Sequence, residues 1–212
     1  MTNHEPGAWH RTVIPASTEA TLCSLRDAHL LERFYLAGGT GLALHFGHRL
    51  SLDLDFFAPD QFDEESFLQR LQMLEGFALA TKAPHTFHAT LNTTKVSFLG
   101  YPYPVLFPVS PFLGVPVADP RDIACMKLSA VASRGTKRDF VDLYACALRF
   151  GLEEILLMFD TKYSQTHYSR IHLLKSLTYF ADAEKDPMPH MLETLAWSTV
   201  VQFFSREVPR LI

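Results

Sequence analysis

The stretch Tyr35–Phe57 reads YLAGGTGLALHFGHRLSLDLDFF, and its punctuation decides the fold. A short apolar run stops at a glycine pair, Gly38 and Gly39. The residues that follow predict a helix from Thr40 to Gly47, ended by its glycine. The run LSLDLDFFA then alternates and predicts a strand. Successive side chains of a strand point to opposite faces, so Asp53 and Asp55 share one face while Leu52, Leu54 and Phe56 share the other. Two carboxylates so close repel each other, and burying unpaired charge is costly. Neither the glycine pair nor the paired acids is needed to fill a core.

A glycine turn before a helix is common, and so is an exposed Asp-x-Asp. In one strand–turn–helix–strand unit, however, they make a site. Glycines let a ligand approach the backbone closely, and a helix start presents free N–H groups and a positive dipole end to a phosphate. Gly38, Gly39 and Thr40, with its hydroxyl, are the candidate phosphate-binding residues. Mg²⁺ prefers oxygen ligands and often takes one or two carboxylates beside substrate phosphates, so Asp53 and Asp55 are the candidate metal ligands.

The chain has 212 residues, 48% hydrophobic and 20% charged, which describes a globular protein of one or two domains. Its formal net charge of −4 gives no general attraction to nucleic acid or acidic lipid, so any such contact needs a local basic patch. Cys23, Cys125 and Cys146 are far apart and odd in number, with no zinc-site spacing, and read as buried thiols in a reducing compartment. The N-terminus lacks a secretory pattern and no stretch is apolar enough to span a bilayer. The expectation is a cytoplasmic protein with no membrane contact.

Outward from the decisive stretch, Ser17–Arg33 predicts a helix with Ser17 near its cap, and Asp63–Leu74 a second, amphipathic one. FALATKA, TFHATLN, TKVSFLGY, PVLFPV and VPVAD predict strands of a mixed sheet with hairpins. The character changes at Asp119. DPRDIACMKLSAVASRG places Pro120 in a first helical turn and Gly135 after a last one. TKRDFVDLYACALRFG continues as a helix, and further helices are predicted over 152–159, 168–181 and 190–204. The front half is thus α/β and the back half a helical bundle. The join has no flexible-linker composition, so the halves are expected to pack together.

The stretch 35–57 resembles the first signature of the DNA polymerase β-type nucleotidyltransferases: a glycine turn, a spacer, then Asp-apolar-acid on a strand. More narrowly it resembles the AbiEii-type nucleotidyltransferases, which include toxins of abortive-infection and type IV toxin–antitoxin systems. A second match is DIACMKLSAVASRGTKRDFVDLY, Asp122–Tyr144, which is similar to that family's later motifs. The resemblance implies an α+β fold: a nucleotidyltransferase-like mixed sheet with flanking helices over 1–118, followed by a C-terminal α-helical bundle over 119–212. It also implies an NTP substrate, Mg²⁺, and an acceptor that is RNA, such as a tRNA end, or a protein hydroxyl. An antitoxin is the implied protein partner.

The residues of the second match support a role on their own chemistry. Lys127 lies on a helix, and lysine serves as a point-charge phosphate binder. Its plain alternative is a solvated helix face. Arg134, Lys137 and Arg138 form the local basic patch, candidates for holding the acceptor. Asp139 and Asp142 share one helix face, and an Arg138–Asp142 ion pair is the plain alternative there. One departure matters. This fold commonly carries a third carboxylate on a neighbouring strand, but TKVSF places Ser97 there, which is neither a good metal ligand nor a base at neutral pH. The missing function then falls to Asp139 or Asp142, or activity is weak. The catalytic set is therefore Asp53, Asp55, Lys127 and Asp139.

Two rival readings remain at this point. One is a catalytically weak or inactive nucleotide-binding or interaction module of the same fold. The other is a metal phosphohydrolase in which His48 joins the aspartates, although His45 and His48, three apart on a helix, also read as packing or surface residues.

Overall fold

In a computed structural model the described residues are 8–211; the first seven, on which part of the leader reading rests, lie outside them. The chain divides into two compact units, Met1–Asp119 and Pro120–Ile212.

The first unit holds helices α1 (Ala16–Asp27), α2 (Gly38–Phe46) and α3 (Glu64–Gln72) and strands β1 (Tyr35–Leu36), β2 (Leu54–Ala58), β3 (Phe77–Ala83), β4 (Thr86–Leu91), β5 (Thr94–Gly100), β6 (Ser110–Phe112) and β7 (Val115–Val117). The strands form one mixed sheet in the order β3-β4-β5-β2-β1-β7-β6. β1 runs antiparallel to β2 and parallel to β7, and β2 runs parallel to β5. The α+β class expected from the sequence is the observed one.

Register decides which side chains share a face. Phe56 of β2 pairs with Phe98 of β5, and Phe98 with Phe87 of β4. All three are fully buried. Phe56 stacks on Phe98 at 5.3 Å, and Phe67 of α3 meets Phe98 edge-on at 4.9 Å. Each buried phenyl contributes roughly 1.5–3 kcal/mol, so this row fixes which face of the sheet is core. On the opposite face the same three strands present Asp55, Ser97 and His88 in register.

Several boundaries differ from the sequence reading, each for a local reason. Helix α1 starts at Ala16 behind Pro15, so Ser17 sits inside the first turn rather than at the cap; it ends near His29, whose φ is 54°. Helix α2 starts two residues early, at Gly38, and ends as expected at left-handed Gly47. Asp63 caps α3 by accepting from the backbone N–H groups of Glu65 and Ser66. PVLFPV forms no strand: Pro104 and Pro108 have no N–H to offer a ladder, and pairing resumes at Ser110.

The second unit contains α4 (Pro120–Ser133), α5 (Lys137–Phe150), α6 (Leu152–Lys162), α7 (Arg170–Ser176) and α8 (Trp197–Glu207). The last two are shorter or later than predicted. Ser169 caps α7 through the N–H of His172. Trp197, at the start of α8, is tied down by its indole N–H donating to Glu184 and by an edge contact with Phe140 at 5.9 Å. Phe140, Leu143, Ile155 and Phe204 are among the fully buried residues here. Lys162 and Asp122 form an ion pair of 2.7 Å with side chains 0% and 2% exposed. No described helix is long and apolar enough to cross a membrane. Cys125 and Cys146 are buried, Cys23 is half-buried, and all three are free thiols; burial pushes the Cys125 thiol up to about 12.

Candidate functional site

The glycine pair does two different jobs. Gly38 has φ +63°, a conformation that favours glycine. A Cβ there would also stand 2.8 Å from Oδ2 of Asp55, so the bare backbone at the start of α2 is what admits that carboxylate. Gly39 makes room for a residue the sequence reading passed over. A Cβ on it would meet the Arg49 guanidinium at Nη2. Arg49 is only 4% exposed, and its Nη1 donates to the Leu50 carbonyl at 2.9 Å.

Thr40 acts differently from the expectation. Its side chain is 1% exposed. The hydroxyl donates to the Asp53 carbonyl and lies 2.8 Å from the Ser51 hydroxyl. A carbonyl can only accept, so the Thr40 proton is spent there and Ser51 must donate to Thr40. Thr40 is therefore a strut tying the start of α2 to the segment that carries Asp53, and its hydroxyl is not aimed at a ligand. Thr18 donates likewise to the Leu52 carbonyl at 3.2 Å. These side-chain bonds take the place of a ladder, which is why β2 begins at Leu54 rather than Leu50, and Leu52 is 57% exposed instead of facing the core.

Asp53 and Asp55 are both half-buried, flanking buried Leu54. Asp55 pairs in register with Ser97, the residue standing where a third acid was sought. The Asp55 carboxylate stands against a helix start whose residue 38 has no side chain, while the Asp53 backbone carbonyl is tied to Thr40; carboxylate oxygens are the donors that Mg²⁺ prefers. Among the described residues no three His, Cys, Asp or Glu side chains gather as a metal-binding group. His45 is buried, with Nε2 at 2.8 Å from the Ala118 carbonyl and the Trp9 ring tilted against it at 4.6 Å, and so serves packing. His48 meets Phe46 edge-on at 6.1 Å.

In the second unit the later motif forms its own cluster. Lys127 is buried, not on a solvated face: its ammonium lies 3.1 Å from Asp139 and 2.7 Å from Asp142, carboxylates 1% and 0% exposed. Arg134 grips Asp139 with two bonds, from Nε at 2.7 Å and Nη2 at 2.9 Å, and the Thr136 hydroxyl adds a third at 2.6 Å. Burial alone would raise the Asp139 pKa; the Arg134 hydrogen bonds and the Lys127 charge outweigh it and hold the carboxyl well below the usual range. Lys137 departs from the expected basic patch. It is 7% exposed, its ammonium donates to the Asp186 carbonyl at 2.5 Å, and it lies over the Trp197 ring at 5.2 Å. Arg138 and the Arg134 side chain are exposed.

Comparisons with known proteins bear on the family and the fold. The family described as "Nucleotidyl transferase AbiEii toxin, Type IV TA system" matches residues 20–98 and 95–210. Uncharacterized protein aq_aa25 of Aquifex aeolicus (strain VF5) is 38% identical over 181 residues, covering 82% of this chain and 86% of that protein. Among solved structures, the nucleotidyltransferase toxin MenT4 from Mycobacterium tuberculosis H37Rv superposes with a TM-score of 0.57 at 18% identity, covering 93% of this chain and 87% of that one. JHP933 from Helicobacter pylori gives 0.55 at 17%, covering 92% and 90%. ANT(2'')-Ia, solved in complex with adenylyl-2''-tobramycin, gives 0.51 at 13%, covering 71% and 99%. At these identities the structures show a shared fold, whereas the family match spans both units: the chain belongs to the AbiEii nucleotidyltransferase family.

Proposed function

We propose that the chain transfers a nucleoside monophosphate from an NTP to an acceptor hydroxyl in a Mg²⁺-dependent reaction. The observation that carries this is the Asp55 carboxylate held against the bare backbone of Gly38 at the start of α2. A carboxylate oxygen beside the N–H groups of a helix start is what a metal–triphosphate complex would need, and this supports the reading. Asp53 and Asp55 would hold the Mg²⁺, which would neutralise the phosphates and align them for in-line attack. Gly38 and Gly39 let the phosphates reach the backbone, Thr40 and Ser51 brace the turn, and Arg49 braces Gly39.

In the second unit, Lys127 is the proposed phosphate cation and Asp139 its partner. The reading for Lys127 comes from the family motif, and its two short ion pairs give it a structural duty as well. Exposed Arg138, with Arg134, is proposed to meet the acceptor, and the family suggests an RNA end. Lys137 drops out of that patch because its charge is spent inside the unit. An antitoxin is the proposed protein partner, following the type IV toxin–antitoxin family. Ser97 favours one second reading, a module of the same fold that binds nucleotide without turning it over.

The test is incubation of the purified chain with each α-labelled NTP, Mg²⁺ and total RNA. Label on a defined acceptor together with pyrophosphate release supports transfer. Magnesium-dependent binding without either product supports the second reading.

A further inference from the structure

The row Asp55, Ser97, His88 crosses three neighbouring strands on one face of the sheet. It carries more than its first member. The His88 Nδ1 lies 3.1 Å from the Ser97 hydroxyl. Ser97 is half-buried and His88 exposed. The position one strand from Asp55 thus offers a hydroxyl where a carboxylate was expected, and the position one strand further offers an imidazole bonded to it. A hydroxyl alone is no base at neutral pH, but a hydroxyl that donates to a neutral imidazole can relay a proton to it.

We propose that His88, working through Ser97, takes up the proton of the acceptor hydroxyl. This rests on the nucleotidyltransferase reading and adds to it the group that the missing carboxylate leaves unfilled. In the step, the acceptor oxygen forms a bond to the α-phosphorus. The bond from that phosphorus to the bridging oxygen breaks, and its electron pair leaves with pyrophosphate. The acceptor proton passes to the Ser97 oxygen as the Ser97 proton passes to Nδ1 of His88. The imidazole must therefore begin neutral, with its own proton on Nε2. Being exposed, it can return the extra proton to water before the next turnover. Ser97 is the residue that meets the reacting oxygen, and His88 acts through it.

The surroundings of His88 suit this. Across β3 its register partner is Thr81, which carries no charge. On its own strand the same face holds Thr86 and Thr90. On β5 the same face holds Ser97 and, two residues away, the exposed Lys95, while Asp55 lies beyond Ser97 on β2. Lys95 and Asp55 thus flank Ser97, the carboxylate on the side where the proton arrives.

The experiment measures kcat and KM across pH for nucleotide transfer by the wild type, His88→Gln, Ser97→Ala, Ser97→Asp and the double variant His88→Gln/Ser97→Asp, with melting temperatures alongside. Because His88 is exposed, His88→Gln is expected to melt as the wild type does. Its kcat should fall about 10²-fold or more, the usual share of general-base catalysis. KM should stay within about threefold, since nothing that binds the ground state was removed. The acid-side fall of the wild-type rate should vanish with it. Ser97→Ala should match this loss, and Ser97→Asp should restore rate whether residue 88 is His or Gln. A His88→Gln enzyme with wild-type kcat and pH profile overturns the proposal while leaving nucleotidyl transfer intact. A wild type that transfers no nucleotide at all overturns both.

Discussion

Oδ2 of Asp55 lies 2.8 Å from the point where a Cβ on Gly38 would stand. Gly38→Ala therefore meets two penalties, a left-handed backbone and a carboxylate with nowhere to go. The backbone term alone costs roughly 1–2 kcal/mol. We expect a lowered melting temperature and loss of NTP binding. Gly39→Ala should also lose affinity, because its methyl group would displace the buried Arg49 guanidinium. Calorimetric titration with a non-hydrolysable NTP checks both.

Thr40 is expected to behave as a strut. Thr40→Val keeps the volume and removes the hydroxyl that joins Ser51 to the Asp53 carbonyl. Leaving a buried partner unsatisfied costs about 1–3 kcal/mol, so the urea midpoint should fall. Thr40→Ser should retain most of the stability. If Thr40→Val unfolds like the wild type yet binds NTP poorly, the hydroxyl serves the ligand and the strut account fails.

The acid cluster of the second unit makes a pH prediction with a definite sign. The folded pKa of Asp139 is depressed, through the Arg134 bonds and the Lys127 charge acting against burial. Its contribution to stability is thus fully present above the unfolded carboxyl value, about 3.9, and is lost as pH falls through the lower folded value. Urea midpoints should decline below about pH 4, and Asp139→Asn should flatten that part of the curve while lowering stability at neutral pH. An unchanged acid limb in Asp139→Asn would place the acid sensitivity elsewhere.

Much of this was legible in the sequence, and the gaps have physical causes. The glycine pair and the alternating acids marked strand, helix start and strand because those patterns follow from backbone geometry alone. The His88–Ser97 pairing was also open to reading. Asn92 and Thr93 form a two-residue hairpin turn, with Asn92 at φ 55° and Leu91 opposite Thr94, and that turn fixes the register of every pair behind it. Other placements need tertiary contacts that no local pattern carries. Lys137 reads as part of the basic patch because its partners, Asp186 and Trp197, lie far along the chain. For Lys127 the sequence offers a phosphate cation or a solvated helix face, and neither shows the two carboxylates that α5 brings to it. The early start of α2 was missed because glycine is a poor helix former, and here a close approach, not propensity, sets the residue.

The central claim is that the start of α2 and the Asp53–Asp55 pair form one metal-dependent nucleotide site. Titration of a non-hydrolysable NTP into the wild type and into Asp53→Asn and Asp55→Asn, with Mg²⁺ and with EDTA, tests it most directly. We predict that wild-type binding requires Mg²⁺ and that either substitution weakens it at least about tenfold, equivalent to about 1.4 kcal/mol. Equal affinity in EDTA, or wild-type affinity in both variants, would contradict the account.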